Sequence, residues 1–351
     1  MAQNSFLKFF PIPKYLQFPA VGFDVSDGSV KFIELLSDNN SITVGRFGRK
    51  SFLGDLTLTL SSIQKQYGFD MVNVSIPEEE AYFIRIRLPF IKPEEVRGAI
   101  ELQLEGYIPY SANEVEFDYE ILKTDPRLNG YVDVNVAVLP KKIANKYLSI
   151  FEQAGLSPTS LIIEAEATSR AAVPSSSTDV VMVVNIGRVN TVLSIVVRGS
   201  VWFSYTFKLG GDFLVKRLCE TCSLNSAEAE RLKNEKGLIN SFENEKIFGC
   251  LLPLLSSIRD EVSKHRKYWA EHKKDFLIAQ DFDDISRIII CGSQSIIPGL
   301  AGYFSTALAL KTTLADPWVN SFDFDQYIPP ISRRDSLEYV TAIGLALSSL
   351  K

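Results

Sequence analysis

Cysteine is scarce in this sequence, with four in 351 residues: Cys219, Cys222, Cys250 and Cys291. Four scattered thiols do not make the disulfide framework of a secreted domain, which predicts a reducing compartment. Cys219-Glu220-Thr221-Cys222 has the spacing of half a zinc site or a redox pair, but no second Cys/His pair lies near it, and His265 and His272 come far downstream. The pair reads instead as two small apolar residues at i and i+3 of a helix over about 212–221. Long apolar runs are missing too. The richest, Val180-Val181-Met182-Val183-Val184, stops at Asn185, well short of the roughly 18–20 residues that span a bilayer. Residues 6–13 offer neither an uninterrupted apolar segment nor a small-residue cleavage site, so no secretory signal is expected and the chain reads as cytoplasmic. An excess of positive charge is also lacking. Lys and Arg number 37 against 42 Asp and Glu, a net charge of −5 and the wrong sign for a nucleic-acid binder.

What is present points to a globular α/β protein. Hydrophobic residues make up 46% and charged residues 23%, which excludes a disordered or fibrous chain. At roughly 100–200 residues per domain, the length predicts two domains or one fold divided into lobes. Ala20-Val21-Gly22-Phe23-Asp24-Val25 and Val30-Lys31-Phe32-Ile33-Glu34-Leu35-Leu36, joined by Ser26-Asp27-Gly28-Ser29, predict a β-hairpin. A third strand near 41–44, a helix with Leu56, Leu60 and Ile63 inward, and a buried strand at 71–76 follow. Between about Pro77 and Leu156 the texture changes. Alternation at 83–88, 115–119 and 131–138, a helix started by Pro93 and Glu94-Glu95, and another helix over 141–154 read as a compact insert. After a Ser-rich linker at 174–178 the opening pattern returns: strand 180–186, turn Gly187-Arg188-Val189-Asn190, strand 191–197 and strand 201–207. Two such meanders about 160 residues apart predict two related lobes. A mostly helical stretch to about Lys274 precedes a buried strand at 287–291, with Gly292-Ser293-Gln294-Ser295 directly behind it.

Two hairpins with small residues in their turns set two groups of backbone N–H across a cleft from each other, and such groups bind anions. That suits a nucleotide phosphate chain, with Asp24 holding Mg²⁺ through water and Lys31 reaching a phosphate. A plainer reading fits the same residues. Asp24 and Asn185 are favoured turn residues, and Glu230 and Lys233 stand at i and i+3 of a helix, where a solvated ion pair is common.

The stretch from Gly22 to Leu35 resembles the first phosphate motif of the actin/Hsp70/FtsA superfamily, in the form found in the PilM family of cytoplasmic type IV pilus assembly proteins. Pro93-Glu94-Glu95-Val96-Arg97, Tyr107-Ile108-Pro109-Tyr110, Leu209-Gly210-Gly211-Asp212, Ala229-Glu230-Arg231-Leu232-Lys233, Cys291-Gly292-Ser293 with Ile297-Pro298-Gly299-Leu300, and Ala342-Ile343-Gly344-Leu345-Ala346-Leu347 follow in that family's order. The resemblance covers essentially everything after Ala20. It implies an α/β, actin-like ATPase fold of two ribonuclease H-like lobes with an FtsA/PilM-type inserted subdomain. The boundaries expected are a tail at 1–19, a first lobe from 20–76 and 157–178 with 330–351 returning to it, the insert at 77–156, and a second lobe at 179–329 that includes a mainly helical part at 219–284. ATP with Mg²⁺ is implied in the cleft. Asp24, Ser26, Gly28, Ser29 and Lys31 would form the first phosphate loop, and Asn185, Gly187, Asn190 and Thr191 the second. Gly210 and Gly211 would lie beside the phosphates, Glu230 and Lys233 would face the ribose, and Gly292, Ser293 and Gln294 would flank the adenosine.

The departures are informative. Asn185 stands where the family has the Asp of Asp-Ile-Gly, Ser26 stands where the first loop has Gly, and Cys291 and Ser293 replace glycines of the adenosine loop. Weak nucleotide binding, or a cleft kept mainly as scaffold, is expected, and Asn185→Asp is expected to tighten Mg-ATP binding. The partner implied is the cytoplasmic N-terminal tail of a PilN-like single-span membrane protein, with other pilus assembly components, which would recruit the chain to the inner face of the membrane. Its groove is expected where the insert meets the first lobe, lined by Arg85, Arg87, Tyr107 and Tyr110. A sugar-kinase-type phosphotransferase and a filament former of the FtsA kind stay open as alternatives.

Overall fold

The structure is a computed structural model that describes residues 20–38, 41–52, 54–122, 130–273 and 284–350. The tail expected at 1–19 lies outside the described residues. Strands β1 (Ala20–Ser26) and β2 (Ser29–Asp38) form an antiparallel hairpin around Asp27 and Gly28, whose φ of +54° and +68° give the twist that two-residue hairpins favour. Strand β3 (Ser41–Ser51) extends the meander and is longer than its first four residues suggest. Helix α1 (Leu56–Tyr67) starts where the Asp55 carboxylate accepts from Leu58 N, ends at the left-handed Gly68, and buries Leu60 and Ile63. It leads into β4 (Met71–Ile76), parallel to β1.

The chain then leaves this sheet. Strand β5 (Tyr82–Pro89), helix α2 (Pro93–Gln103), β6 (Val115–Ile121) and β7 (Tyr131–Pro140) build a separate antiparallel sheet of order β5-β7-β6. Period 2 sorts its side chains. Ile86, Leu88, Val132, Val134 and Val136 face α2, while Phe83, Arg85, Arg87, Asp133 and Asn135 face the other way. Helix α3 (Lys141–Gln153) returns to β8 (Ser157–Ile163), which completes the first sheet as β3-β2-β1-β4-β8.

Helix α4 (Glu164–Ala172) crosses to a second sheet. Strands β9 (Val180–Ile186), β10 (Thr191–Val197) and β11 (Ser200–Phe207) repeat the meander. Helices α5 (Gly211–Cys222), α6 (Ser226–Lys236) and α7 (Glu245–His272) follow, then β12 (Arg287–Cys291), α8 (Leu300–Leu308) and β13 (Thr312–Leu314). The order β11-β10-β9-β12-β13 matches the first sheet strand for strand. Short helix α9 (Arg333–Ser336) precedes α10 (Val340–Ser348).

Between the sheets lies a shared apolar layer. It joins Ile33 and Leu35 of the first sheet, Val181 and Val183 of the second, and Ala171, Ala342 and Ile343 of α4 and α10. Residues 340–347 are all buried, so α10 has no solvent face. Its approach requires glycine, because a Cβ on Gly22 would stand 2.0 Å from Ala342 O and one on Gly344 1.7 Å from Ala167 O. The insert also touches the second sheet: Asn135 Nδ2 donates to Val201 O at 2.5 Å, and the Arg85 guanidinium lies 4.9 Å from the Trp202 ring centroid.

Candidate functional site

The β1–β2 and β9–β10 turns face each other across a cleft of about 180 Å³, closed in by Glu164, Gly292, Ser293 and the 337–341 segment. Asp24 and Lys31 are directly opposed across the first hairpin, so their side chains meet by register alone. Lys31 Nζ donates to Asp24 Oδ2 at 2.8 Å and to Ser26 Oγ at 3.0 Å, and both charged side chains are buried. Ser26 Oγ donates to Asp24 Oδ2 at 3.1 Å and Ser75 Oγ to Asp24 Oδ1 at 3.3 Å. Burial works to lower the Lys31 pKa, but the Asp24 charge and hydrogen bond, with Asp27 and Glu164 behind them, outweigh it and raise the pKa. Lys31 is therefore cationic and committed to Asp24. Ser29 Oγ donates to Ser26 O at 3.3 Å, and Gly28 O accepts from Phe52 N at 2.9 Å, which ties the turn to the end of β3.

The second turn is held from three sides. Gly187 N donates to Asn190 O at 2.9 Å, Gly211 N and Asp212 N donate to Gly187 O and Arg188 O at 3.0 and 2.8 Å, and Thr191 Oγ1 donates to Leu209 O at 2.6 Å. Gly210 allows this approach, since a Cβ there would stand 2.5 Å from Arg188 O. From across the cleft, Asp27 Oδ2 accepts from Arg188 N at 2.8 Å and Oδ1 from Val189 N at 3.0 Å.

Asn185 Nδ2 donates to Glu164 Oε1 at 2.8 Å. Burial, then the charges of Glu78 and Asp24, push the Glu164 carboxyl well above the usual carboxylate range. Glu78 accepts from Ala165 N at 2.7 Å, and burial carries its pKa up to about 7. Sequence reasoning missed Glu78, Glu164 and Asp27. Glu164 opens an alanine-rich helix directly behind Leu161-Ile162-Ile163 at the end of β8, and Asp27 passes for an ordinary turn residue; only their three-dimensional neighbours mark them.

Glu230, Lys233, Gln294, Gly210 and Gly211 come together just outside this cavity. Lys233 Nζ is fully buried and donates to Glu230 Oε1 at 2.8 Å and Gln294 Oε1 at 2.5 Å; burial lowers its pKa, with Glu230 opposing. Gln294 lies on Gly211, where a Cβ would stand 2.2 Å from its Cδ. The residues expected to face a ribose and base are thus engaged with one another. Ligand sites usually offer about 300–1,000 Å³, against about 180 Å³ here. Lys31 is the one cation among the described lining residues, which also include Asp24, Asp27, Glu79, Glu164 and Glu338. In this arrangement the residues do not fit a nucleoside triphosphate. Among the described residues no group of three or more acidic, His or Cys side chains is placed to hold a metal ion, and both Asp24 oxygens already accept protein hydrogen bonds.

The four expected partner residues are divided. Arg87 makes a two-pronged pair with Asp133 at 2.8 and 2.9 Å, and burial lowers the Arg85 pKa to about 10. Tyr107 and Tyr110 lie with α2; the Tyr110 ring meets Tyr82, whose side chain is on the opposite face of β5 from Arg85 and Arg87. None of the four lines the larger cleft, of about 490 Å³, which opens between the insert, α4 and the β10–β11 turn. Its walls include Phe83, Asp118, Glu120, Asn135, Glu166 and Arg170. Asn135 Oδ1 is buried there without a hydrogen-bond partner among the described residues.

A family model described as "Type IV pilus assembly protein PilM" matches residues 22–350. Among solved structures, the "PilM-PilN type IV pilus biogenesis complex" aligns at 18% identity over 95% of this chain and 99% of that one, with a TM-score of 0.74. The ethanolamine utilization protein EutJ of Carboxydothermus hydrogenoformans aligns at 15% identity over 96% and 90%, TM-score 0.52. MreB 5 of Spiroplasma citri bound to AMPPNP aligns at 14% over 94% and 95%, TM-score 0.52. Identities this low show a common fold, the actin-like one.

Proposed function

The chain belongs to the type IV pilus assembly protein PilM family, and from that membership we propose an actin-like scaffold that takes the cytoplasmic tail of a PilN-like membrane protein in the cleft beside α4. The observation that carries this reading is the cleft itself: about 490 Å³, walled by the insert's outward face and by α4, with the unpaired Asn135 Oδ1 ready to accept a peptide N–H. Asp118, Glu120 and Glu166 make its walls acidic, with Arg170 paired to Glu166 at 2.5 Å. Cytoplasmic segments beside a membrane span carry an excess of Lys and Arg, which such a wall complements. Binding the tail would recruit the chain to the inner face of the membrane. No helix among the described residues is long and apolar enough to cross one itself.

Nucleotide is the lesser part of this reading: weakly held and not turned over, because Asn185 carries no charge and the cleft's donors are taken by protein groups. The decisive experiment is calorimetric titration of tail peptide into wild type and Asp118→Lys. Asp118 is exposed on β6, so the variant should keep its thermal midpoint and lose at least about tenfold in affinity, roughly 1.4 kcal/mol. Undiminished affinity places the tail elsewhere. Phosphate release from ATP at roughly 1 per second or faster removes the second part.

A further inference from the structure

We propose that Asp27 is a built-in substitute for phosphate: its carboxylate occupies the anion place of the β9–β10 turn and must leave before a polyphosphate can enter. This deepens the weak-nucleotide reading above, on which it rests. The geometry is that of an anion site already filled. Two consecutive backbone amides, Arg188 N and Val189 N, converge on one carboxylate at 2.8 and 3.0 Å. Successive N–H groups of a turn are a recurrent cradle for phosphate oxygens, and hydrogen bonds to an ionised acceptor are the strong ones. The carboxylate also lies against bare backbone. A Cβ on Gly187 would stand 2.7 Å from Asp27 Oδ2, so the approach depends on the glycine that a phosphate would equally need.

Turn geometry does not by itself demand a carboxylate at this position. Asp27 has φ +54° and is followed by Gly28 at +68°, a pair of conformations that Asn or Gly would adopt as readily. What the charge serves is the contact across the cleft, to residues 161 and 162 positions later in the chain. An entering polyanion would find those two amides taken and the Asp27 charge facing it, while Lys31, the one cation among the described lining residues, stays paired with Asp24. The same carboxylate straps the first hairpin to the second and keeps the cleft narrow. Asp27 thus sets nucleotide affinity through occupancy, as an internal competitor whose effective concentration no added ligand matches easily.

The test compares wild type, Asp27→Gly and Asp27→Asn, each titrated with inorganic tripolyphosphate and with ATP, alongside backbone amide exchange over residues 186–190. Asp27→Gly should bind both ligands at least about tenfold tighter than wild type, and the Arg188 and Val189 amides should exchange faster without ligand and regain protection with it. Asp27→Asn, which keeps the turn and loses the charge, should fall between. The ratio of variant to wild type judges this inference, and the wild-type affinity alone judges the weak-nucleotide reading. Ratios within twofold overturn the inference, as does no measurable binding by either variant at millimolar ligand, or unchanged slow exchange at Arg188 and Val189 in Asp27→Gly. A micromolar or tighter wild-type dissociation constant defeats the weak-binding reading whatever the ratio. If Asp27→Gly does not fold, Asp27→Asn carries the comparison: tighter binding than wild type supports the inference, and equal binding overturns it.

Discussion

The side-chain amide of Asn185 points at Glu164, with Nδ2 donating to Oε1 at 2.8 Å inside the cleft. The neutral residue at the position where the family carries an aspartate is thus the partner of a second acid. Sequence alone suggests that Asn185→Asp would improve Mg-ATP handling; the contact adds a cost in stability to that substitution. An aspartate there would set two carboxylates face to face beside Gly292, where a Cβ would come within 2.3 Å of Asn185 Oδ1. Asn185→Asp should therefore lower stability at pH 8 by about 1–3 kcal/mol, the usual cost of losing a buried hydrogen bond and opposing like charges. The loss should shrink at pH 5, because protonation of either carboxyl relieves the repulsion. Denaturant melts at the two pH values check it, and equal stability of variant and wild type at pH 8 would count against the contact.

Glu78 gives the wild type a pH dependence of definite sign. Its folded pKa of about 7 lies above the ordinary 4.5, so the folded state binds the proton more tightly than the unfolded chain does. Stability is then fully present below about pH 4.5 and is lost as pH rises through about 7, by on the order of 3 kcal/mol. Glu164 is shifted in the same direction and adds to the slope. Glu78→Gln should flatten the curve between pH 5 and 7.5 and raise stability at the upper end. Urea titrations across that range measure it; a steeper curve in the variant would contradict the assignment.

Gly344 is the tightest point of the helix pair at the centre. With the Ala167 carbonyl 1.7 Å from where its Cβ would be, Gly344→Ala must push α4 and α10 apart, and overpacking of this kind costs roughly 1–3 kcal/mol or more. A thermal midpoint roughly 1–4 °C lower is expected from scanning calorimetry. Gly249, on α7 and with nothing within 4 Å of a Cβ, is the control: Gly249→Ala should leave the midpoint unchanged or raise it.

Much of the fold was legible because its signals are local. Both hairpins, α1 and β4 announce themselves through alternation, Asp-Gly or Gly-containing turns and apolar runs. Strand β8 does not: Ser157-Pro158-Thr159-Ser160 has the composition of a loop and becomes a strand only by pairing in parallel with β4. Strand β13 is three residues long and exists by pairing with β12. In the cleft, the Asp24–Lys31 pair was accessible through cross-strand register. The partner of Asp27 was not, because no local pattern ties a turn to amides more than 160 residues away. Alternation on β5 puts Arg85 and Arg87 on one face, but that the tyrosines follow the other face depends on where the chain after α2 returns against Tyr82.

The enclosure of α10 bears on how the chain is made. The helix that covers β1, and against which Gly22 is fitted, is synthesised about 320 residues after that strand. At roughly 5–20 residues per second, about 15–65 s separate the two on the ribosome. Throughout that interval Ile33 and Leu35, whose native neighbours include α10, lack their cover, so the first sheet cannot finish folding in the order of its translation. The earliest strands wait for the latest helix, and the nascent first half is left exposed to chaperones and to mispairing until α10 emerges.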